Sequence, residues 1–147
     1  MGTMAKRYSL SEKEKELILD VIKGMLLQHP QISFVYLHGS FLLEECFADI
    51  DLAVYLNSLK NVDKAKVTEY EIRLEMELEK AINYPVDLRV LNFAPLSFKY
   101  GVIKKGTLLF ETDEEHRASF QERTLDLYFD FEPYRKRYFK EALGFEI

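Results

Sequence analysis

Asp49 and Asp51 flank Ile50 at the head of the run Asp49 to Leu56, DIDLAVYL, and no other feature restricts the fold as strongly. An apolar, β-forming stretch of this length reads as a strand. Successive strand residues point to opposite faces, so both carboxylates share one face while Ile50 and Leu52 enter a core on the other. A second β-rich run, Ile32 to Leu37, ends at Gly39-Ser40. A third, Val86 to Leu91, carries Asp87 between Val86 and Leu88, so that Asp87 too leaves the core face. Where the strands of Asp51 and Asp87 are neighbours in a sheet, three carboxylates converge.

The rest of the chain supplies helices to cover such a sheet. Ser11 with Glu14 forms a capping-box pattern, after which Ile18, Val21, Ile22 and Met25 recur at helical spacing up to Pro30. The stretch Phe41 to Phe47 has room only for a short helix. Asp63 to Asn83 reads as a long charged helix that ends at Asn83-Tyr84-Pro85, and Pro95 opens another that stops near Gly106. Thr107 to Phe110 looks like a short fourth strand, and from Glu114 onward the pattern is helical with a break at Pro133. This order predicts an α/β (α+β) fold, a small mixed sheet flanked by helices. With 48% apolar residues, no repeat and no Pro/Gly/Ser linker, the 147 residues read as one domain, 1–147, with a C-terminal helical segment over about 113–147.

Composition narrows the function classes. There is no run of about 18 apolar residues to span a membrane, and the N-terminus lacks the order of a secretion signal, so the expected compartment is the cytoplasm. Met1 to Met4 carry no structural signal. The single cysteine, Cys46, excludes an internal disulfide and a Cys-based zinc site, and is expected to be a buried small apolar residue. A net charge of −5 argues against a broad nucleic-acid surface and leaves a nucleotide or a protein as the better substrate class.

Three gathered carboxylates are unfavourable alone, since each like-charged pair at about 4 Å costs roughly 4 kcal/mol at an effective dielectric near 20. A cation resolves this, and an all-oxygen set suits Mg²⁺ better than zinc, which recruits His or Cys. Gly39-Ser40, at a strand end before a short helix, offers backbone N–H groups and a hydroxyl to an anion, phosphate being the natural one. The combination predicts nucleotidyl transfer: a triphosphate at Gly39 and Ser40, metal on Asp49 and Asp51, and Asp87 as a further metal ligand or proton acceptor.

The stretch Leu37-His38-Gly39-Ser40 through Ala48-Asp49-Ile50-Asp51-Leu52 resembles the Gly-Ser…Asp-x-Asp signature of the DNA polymerase β-like nucleotidyltransferases, and Pro85-Val86-Asp87-Leu88 resembles the strand with their third carboxylate. The small size, the segment Ala94-Pro95-Leu96 through Val102 to Glu111, and Tyr128 to Phe131 with Pro133 and Tyr138 are similar to the minimal nucleotidyltransferase (MNT) antitoxins. That resemblance implies a polymerase β palm-like fold with Mg²⁺ (or Mn²⁺) and ATP. It also implies a cognate HEPN-domain RNase toxin, neutralised by transfer of AMP to one of its tyrosines. Gly39 and Ser40 would contact phosphate, and Asp49, Asp51 and Asp87 would be the metal-binding and catalytic carboxylates. Against the family pattern, the connection from Phe41 to Ala48 is short, lacks glycine and Lys/Arg, and carries Glu44 and Glu45. The alternative is therefore a degenerate transferase that neutralises its toxin by binding alone; self-association is compatible with either.

Several residues have plainer roles. Arg89 shares the strand parity of Asp87 and is expected to brace it. Arg135-Lys136-Arg137 reads as a solvated helix face, and Phe120, Leu127, Phe131 and Tyr138 as core. His29 and His116 have no ligand-spaced companions and read as surface residues.

Overall fold

The computed structural model describes residues 6–58 and 62–143; Met1 to Met4 and the last four residues of the predicted C-terminal segment lie outside the described residues. Its elements in chain order are β1 (Tyr8–Ser9), α1 (Glu12–Leu26), β2 (Ile32–His38), α2 (Ser40–Leu43), β3 (Cys46–Phe47), β4 (Ile50–Leu56), α3 (Lys64–Ile82), β5 (Val86–Val90), α4 (Leu96–Lys105), β6 (Thr107–Glu111) and α5 (Glu114–Leu143). β2, β4, β5 and β6 form a four-stranded mixed sheet in the order β5-β4-β2-β6. β2 is antiparallel to both β4 and β6, whereas β5 runs parallel to β4 with Asp51 opposite Asp87.

Strand alternation divides the core in two. Val35, Leu37, Ile50, Leu52, Val54, Val86, Leu88 and Val90 pack on one face with Ile22 and Leu26 of α1 and Leu74, Leu78 and Ile82 of α3. The opposite face buries Phe34, Tyr36 and Ala53 against Val102 of α4 and Phe120 of α5. The helix ends follow their sequence signals. Ser11 and Glu14 complete a capping box on α1, Asp63 caps α3 through the Lys66 N–H, and Asn83 ends α3 in the left-handed conformation.

β5 is an edge strand, yet its outward N–H groups are not left to solvent. Glu79, Glu75 and Glu71, one helical turn apart on α3, accept hydrogen bonds from the N–H groups of Val86, Leu88 and Val90, each at 2.8 Å. The four-residue helical period matches every second residue of the strand.

The structure departs from the sequence expectations at several points. α5 runs through Pro133 without a break; the residue is exposed there, so water can take the Phe129 carbonyl that the missing N–H releases. Leu127 and Phe131 are 59% and 60% exposed instead of core, because this half of α5 extends past the sheet face that buries Phe120. Tyr138's side chain lies outside the described residues. Cys46 is exposed, since in its two-residue strand Phe47 takes the buried side. His116 is not a free surface residue: its Nδ1 lies 2.7 Å from Ser33 Oγ and its ring meets Tyr55 edge-on at 4.7 Å. His29 is also partly covered, with Nε2 3.4 Å from Glu77 Oε1. The pairing of β1 with β3 gave no sequence signal, two residues being too short for a period.

Candidate active site

β4 and β5 carry Asp51 and Asp87 at the same register, and Asp49 sits just before β4 begins. Carboxylate oxygens of the three residues lie within 4.8 Å of one another. Burial, then the neighbouring Asp49 and Asp87 charges, push the Asp51 carboxyl up to about 7, with Arg89 opposing them. Such a group is partly protonated at neutral pH, and a cation bound beside it would favour the ionised form. Arg89 Nε binds Asp87 Oδ1 at 3.0 Å, the bracing contact expected from strand parity.

Gly39, at the end of β2, has a φ of 78° and ψ of −163°, a backbone region open in practice only to glycine. A Cβ there would fall on Asp51 Oδ2 and within 2.8 Å of its Cγ. Glycine is thus needed both for the turn and for the close seating of the carboxylate. Ser40 opens α2, whose first turn is closed by the Leu42 and Leu43 N–H groups donating to the Gly39 carbonyl. The sequence-predicted set Gly39, Ser40, Asp49, Asp51 and Asp87 therefore gathers at one end of three adjacent strands, with the glycine turn on one flank of β4 and Asp87 on the other.

Two further residues bear on this end: His38, adjacent in sequence to the glycine turn but of a direction that strand parity leaves open, and Lys15, which gave no sequence signal. His38, on the same sheet face as Asp51, packs edge-on against Phe98 with ring centroids 5.6 Å apart, and its Nε2 is buried without a hydrogen-bond partner. Burial holds its imidazole below the ordinary value, against the pull of Asp87 and Asp49. Lys15 of α1 is buried, and its Nζ donates to the carbonyls of Phe41 at 2.9 Å and Glu44 at 3.2 Å, tying down the connection after Gly39-Ser40. No helical period marks a lysine as an inward residue, so only the contact itself reveals this role. A cleft of about 680 Å³ opens beside the carboxylates, between the start of α3, β5 and the segment from Phe93 to Phe98.

The family model described as "Polymerase beta, Nucleotidyltransferase" matches residues 20–115, more than half of the chain and all five of the gathered residues. The chain belongs to that family. Its fold is shared by solved members of toxin–antitoxin complexes. A chain of the complex of tri-AMPylated HEPN toxin from Shewanella oneidensis with MNT antitoxin is 24% identical, with 88% of this chain and 98% of that one covered, at a TM-score of 0.68. The MntA–HepT toxin–antitoxin gives 22% identity, 87% and 98% coverage, and a TM-score of 0.68. A toxin–antitoxin structure with AMP-PNP gives 23%, 91%, 99% and 0.63. At these identities the likeness establishes the polymerase β-type fold predicted from the sequence. No curated protein sequence matches the chain. No helix among the described residues is long and apolar enough to cross a membrane.

The donor set fits a hard divalent cation. All three ligand atoms are carboxylate oxygens, and no thiol or imidazole belongs to the group.

Proposed function

We infer that this protein is a nucleotidyltransferase that moves AMP from ATP to a tyrosine hydroxyl of a HEPN-domain toxin, and so acts as the antitoxin of the pair. The carrying observation is the convergence of Asp49, Asp51 and Asp87 on one edge of the sheet, beside a glycine seated on Asp51. Support for the donor and the acceptor comes from the neighbours of the same fold, one with AMP-PNP and one with an AMPylated HEPN toxin. Asp49, Asp51 and Asp87 would hold Mg²⁺ or Mn²⁺, which when bound neutralises the phosphate charge that builds up during transfer. Gly39 and Ser40 would receive the triphosphate through backbone N–H groups and the Ser40 hydroxyl. Arg89 keeps one oxygen of Asp87 engaged and leaves the other for metal or proton. The exposed Cys46 thiol and the absence of a membrane-spanning helix among the described residues suit the cytoplasm.

The test is transfer of label from α-labelled ATP to the partner HEPN protein. Wild type should label a tyrosine, and Asp49→Ala with Asp51→Ala should lower the rate by at least about 100-fold, the scale of removing a preorganised charge-stabilising group. Equal labelling by the double variant would overturn the reading.

A second reading, neutralisation by contact alone, is favoured by one observation. The connection after Gly39-Ser40 carries the exposed carboxylates Glu44 and Glu45, which share the charge sign of a triphosphate. Toxin neutralisation that survives the carboxylate double variant would select it.

A further inference from the structure

Phe120, Thr124, Leu127, Phe131 and Tyr134 follow one another along α5 at alternating steps of four and three residues, and the sequence continues the spacing at Tyr138. Steps that average 3.5 residues keep one line of side chains on one side of a helix, the pattern by which helices pair lengthwise. Phe120 and Thr124 are buried, whereas Leu127, Phe131 and Tyr134 are all more than half exposed. The line therefore outruns the body that covers its beginning, and three large apolar side chains stand in a row in water. Pro133 does not interrupt them: at about 100° per residue it lies roughly a third of a turn away from the line.

Charge says what covers this row. The charged residues from 126 to 132 are Asp126, Asp130 and Glu132, all acidic, while those from 133 to 140 are Arg135, Lys136, Arg137 and Lys140, all basic. Two such helices laid side by side in the same direction would set like charge against like. Laid in opposite directions, each acidic stretch meets the basic stretch of the other. When Phe131 of one copy is level with Tyr134 of the other, Leu127 is level with position 138. Asp130 and Arg137 occupy the same shoulder of the line, one position before Phe131 and Tyr138, and in an antiparallel pair like shoulders face each other. Asp130 of each copy then meets Arg137 of the other, twice by symmetry. Arg137 Nε does bind Glu141 Oε1 at 3.0 Å, but both side chains are mostly exposed, and such a surface pair contributes little and exchanges readily.

We propose that the exposed half of α5 is a self-association surface, on which two copies of this chain pair antiparallel about a two-fold axis between positions 132 and 133. Leu127, Phe131 and Tyr134 interdigitate across the axis, and the two Asp130–Arg137 pairs fix the direction. The pairing asks nothing of the carboxylates at the strand ends, so it stands or falls apart from the transferase reading. The contact is about three helical turns long, short of what an obligate dimer buries. The copies thus meet at micromolar concentration and separate below it, where the stability of the domain is that of the single chain.

Sedimentation velocity of the full chain tests this between about 1 and 100 µM, the weak end of specific protein contacts. Wild type should pass from monomer to dimer over that range. Asp130→Arg sets a cation against Arg137, and Arg137→Asp sets an anion against Asp130, so each variant alone should need at least tenfold more protein to dimerise. An equimolar mixture of the two variants restores both pairings and should dimerise as wild type does. Phe131→Ala should remove the dimer and leave the helix content unchanged by circular dichroism. Wild type that stays monomeric throughout overturns the proposal, and a simultaneous loss of HEPN-protein binding in Phe131→Ala would give the surface to that protein instead. A dimer that survives Phe131→Ala, or a mixture that fails to recover, overturns the antiparallel pairing on α5.

Discussion

A methyl group at position 39 would land on Asp51 Oδ2, and the backbone there costs an L side chain roughly 1–3 kcal/mol even in open space. Gly39→Ala is expected to lower stability by at least that amount in urea denaturation and to abolish the Mn²⁺-dependent rise in Tm, because Asp51 has to move. Asp51 itself sets a pH dependence. Its carboxyl lies at about 7 in the fold and near 3.8 ordinarily, so the unfolded chain releases this proton first as pH rises. The metal-free protein should therefore lose stability between about pH 4 and pH 7, and no further from this group above that. A cation takes the proton's place, so the Tm increment from Mn²⁺ should grow between pH 5.5 and 8. Asp51→Asn should erase the increment and raise the metal-free Tm at pH 8; a Tm response to Mn²⁺ identical at both pH values would contradict this. The alternation of Asp49, Ile50, Asp51 and Leu52 made this pair legible in the sequence, and Val86 and Leu88 did the same for Asp87. The close fit of Gly39 to Asp51 was not legible, since it joins residues on two strands whose register no local pattern encodes.

Lys15 and the glutamates of α3 show why elements were easier to find than their junctions. The capping box at Ser11 and the left-handed Asn83 are signals within a few residues, and they mark the ends of α1 and α3 as the sequence suggests. The buried ammonium of Lys15 instead answers carbonyls at positions 41 and 44, across 26 and 29 residues of chain. Lys15→Met should cost about 1.5–3 kcal/mol, the range for hydrogen bonds to a charged group, and should speed amide exchange in α2. Glu75, on α3, is raised from its ordinary value by burial, with the Leu88 N–H pulling the other way. Glu75→Ala strands that N–H, and a loss of about 1–3 kcal/mol by urea denaturation is expected, with faster exchange at the Leu88 amide. Pro133 misled for the opposite reason: a local signal for a break was present, but exposure of the helix made the lost hydrogen bond tolerable.

For the whole molecule we propose one cooperative domain, since both faces of a single sheet are filled by helices from either end of the chain. Heat or urea should give a single transition. Phe120→Ala, which empties the core under α5, should cost about 3–5 kcal/mol. Ending the chain after Glu132 should leave the midpoint nearly unchanged, as the neighbouring Leu127, Phe129, Phe131 and Tyr134 are all more than half exposed. The α/β order was readable because each element is periodic over many residues, whereas the hydrophobic stripe of α5 carried no mark of where the body beneath it stops. The three glutamates along β5 act as a counterfeit neighbouring strand: they occupy the donors that an incoming polypeptide would need for zipper-like pairing. A sheet rim finished in carboxylates can stand open next to another protein while refusing its backbone.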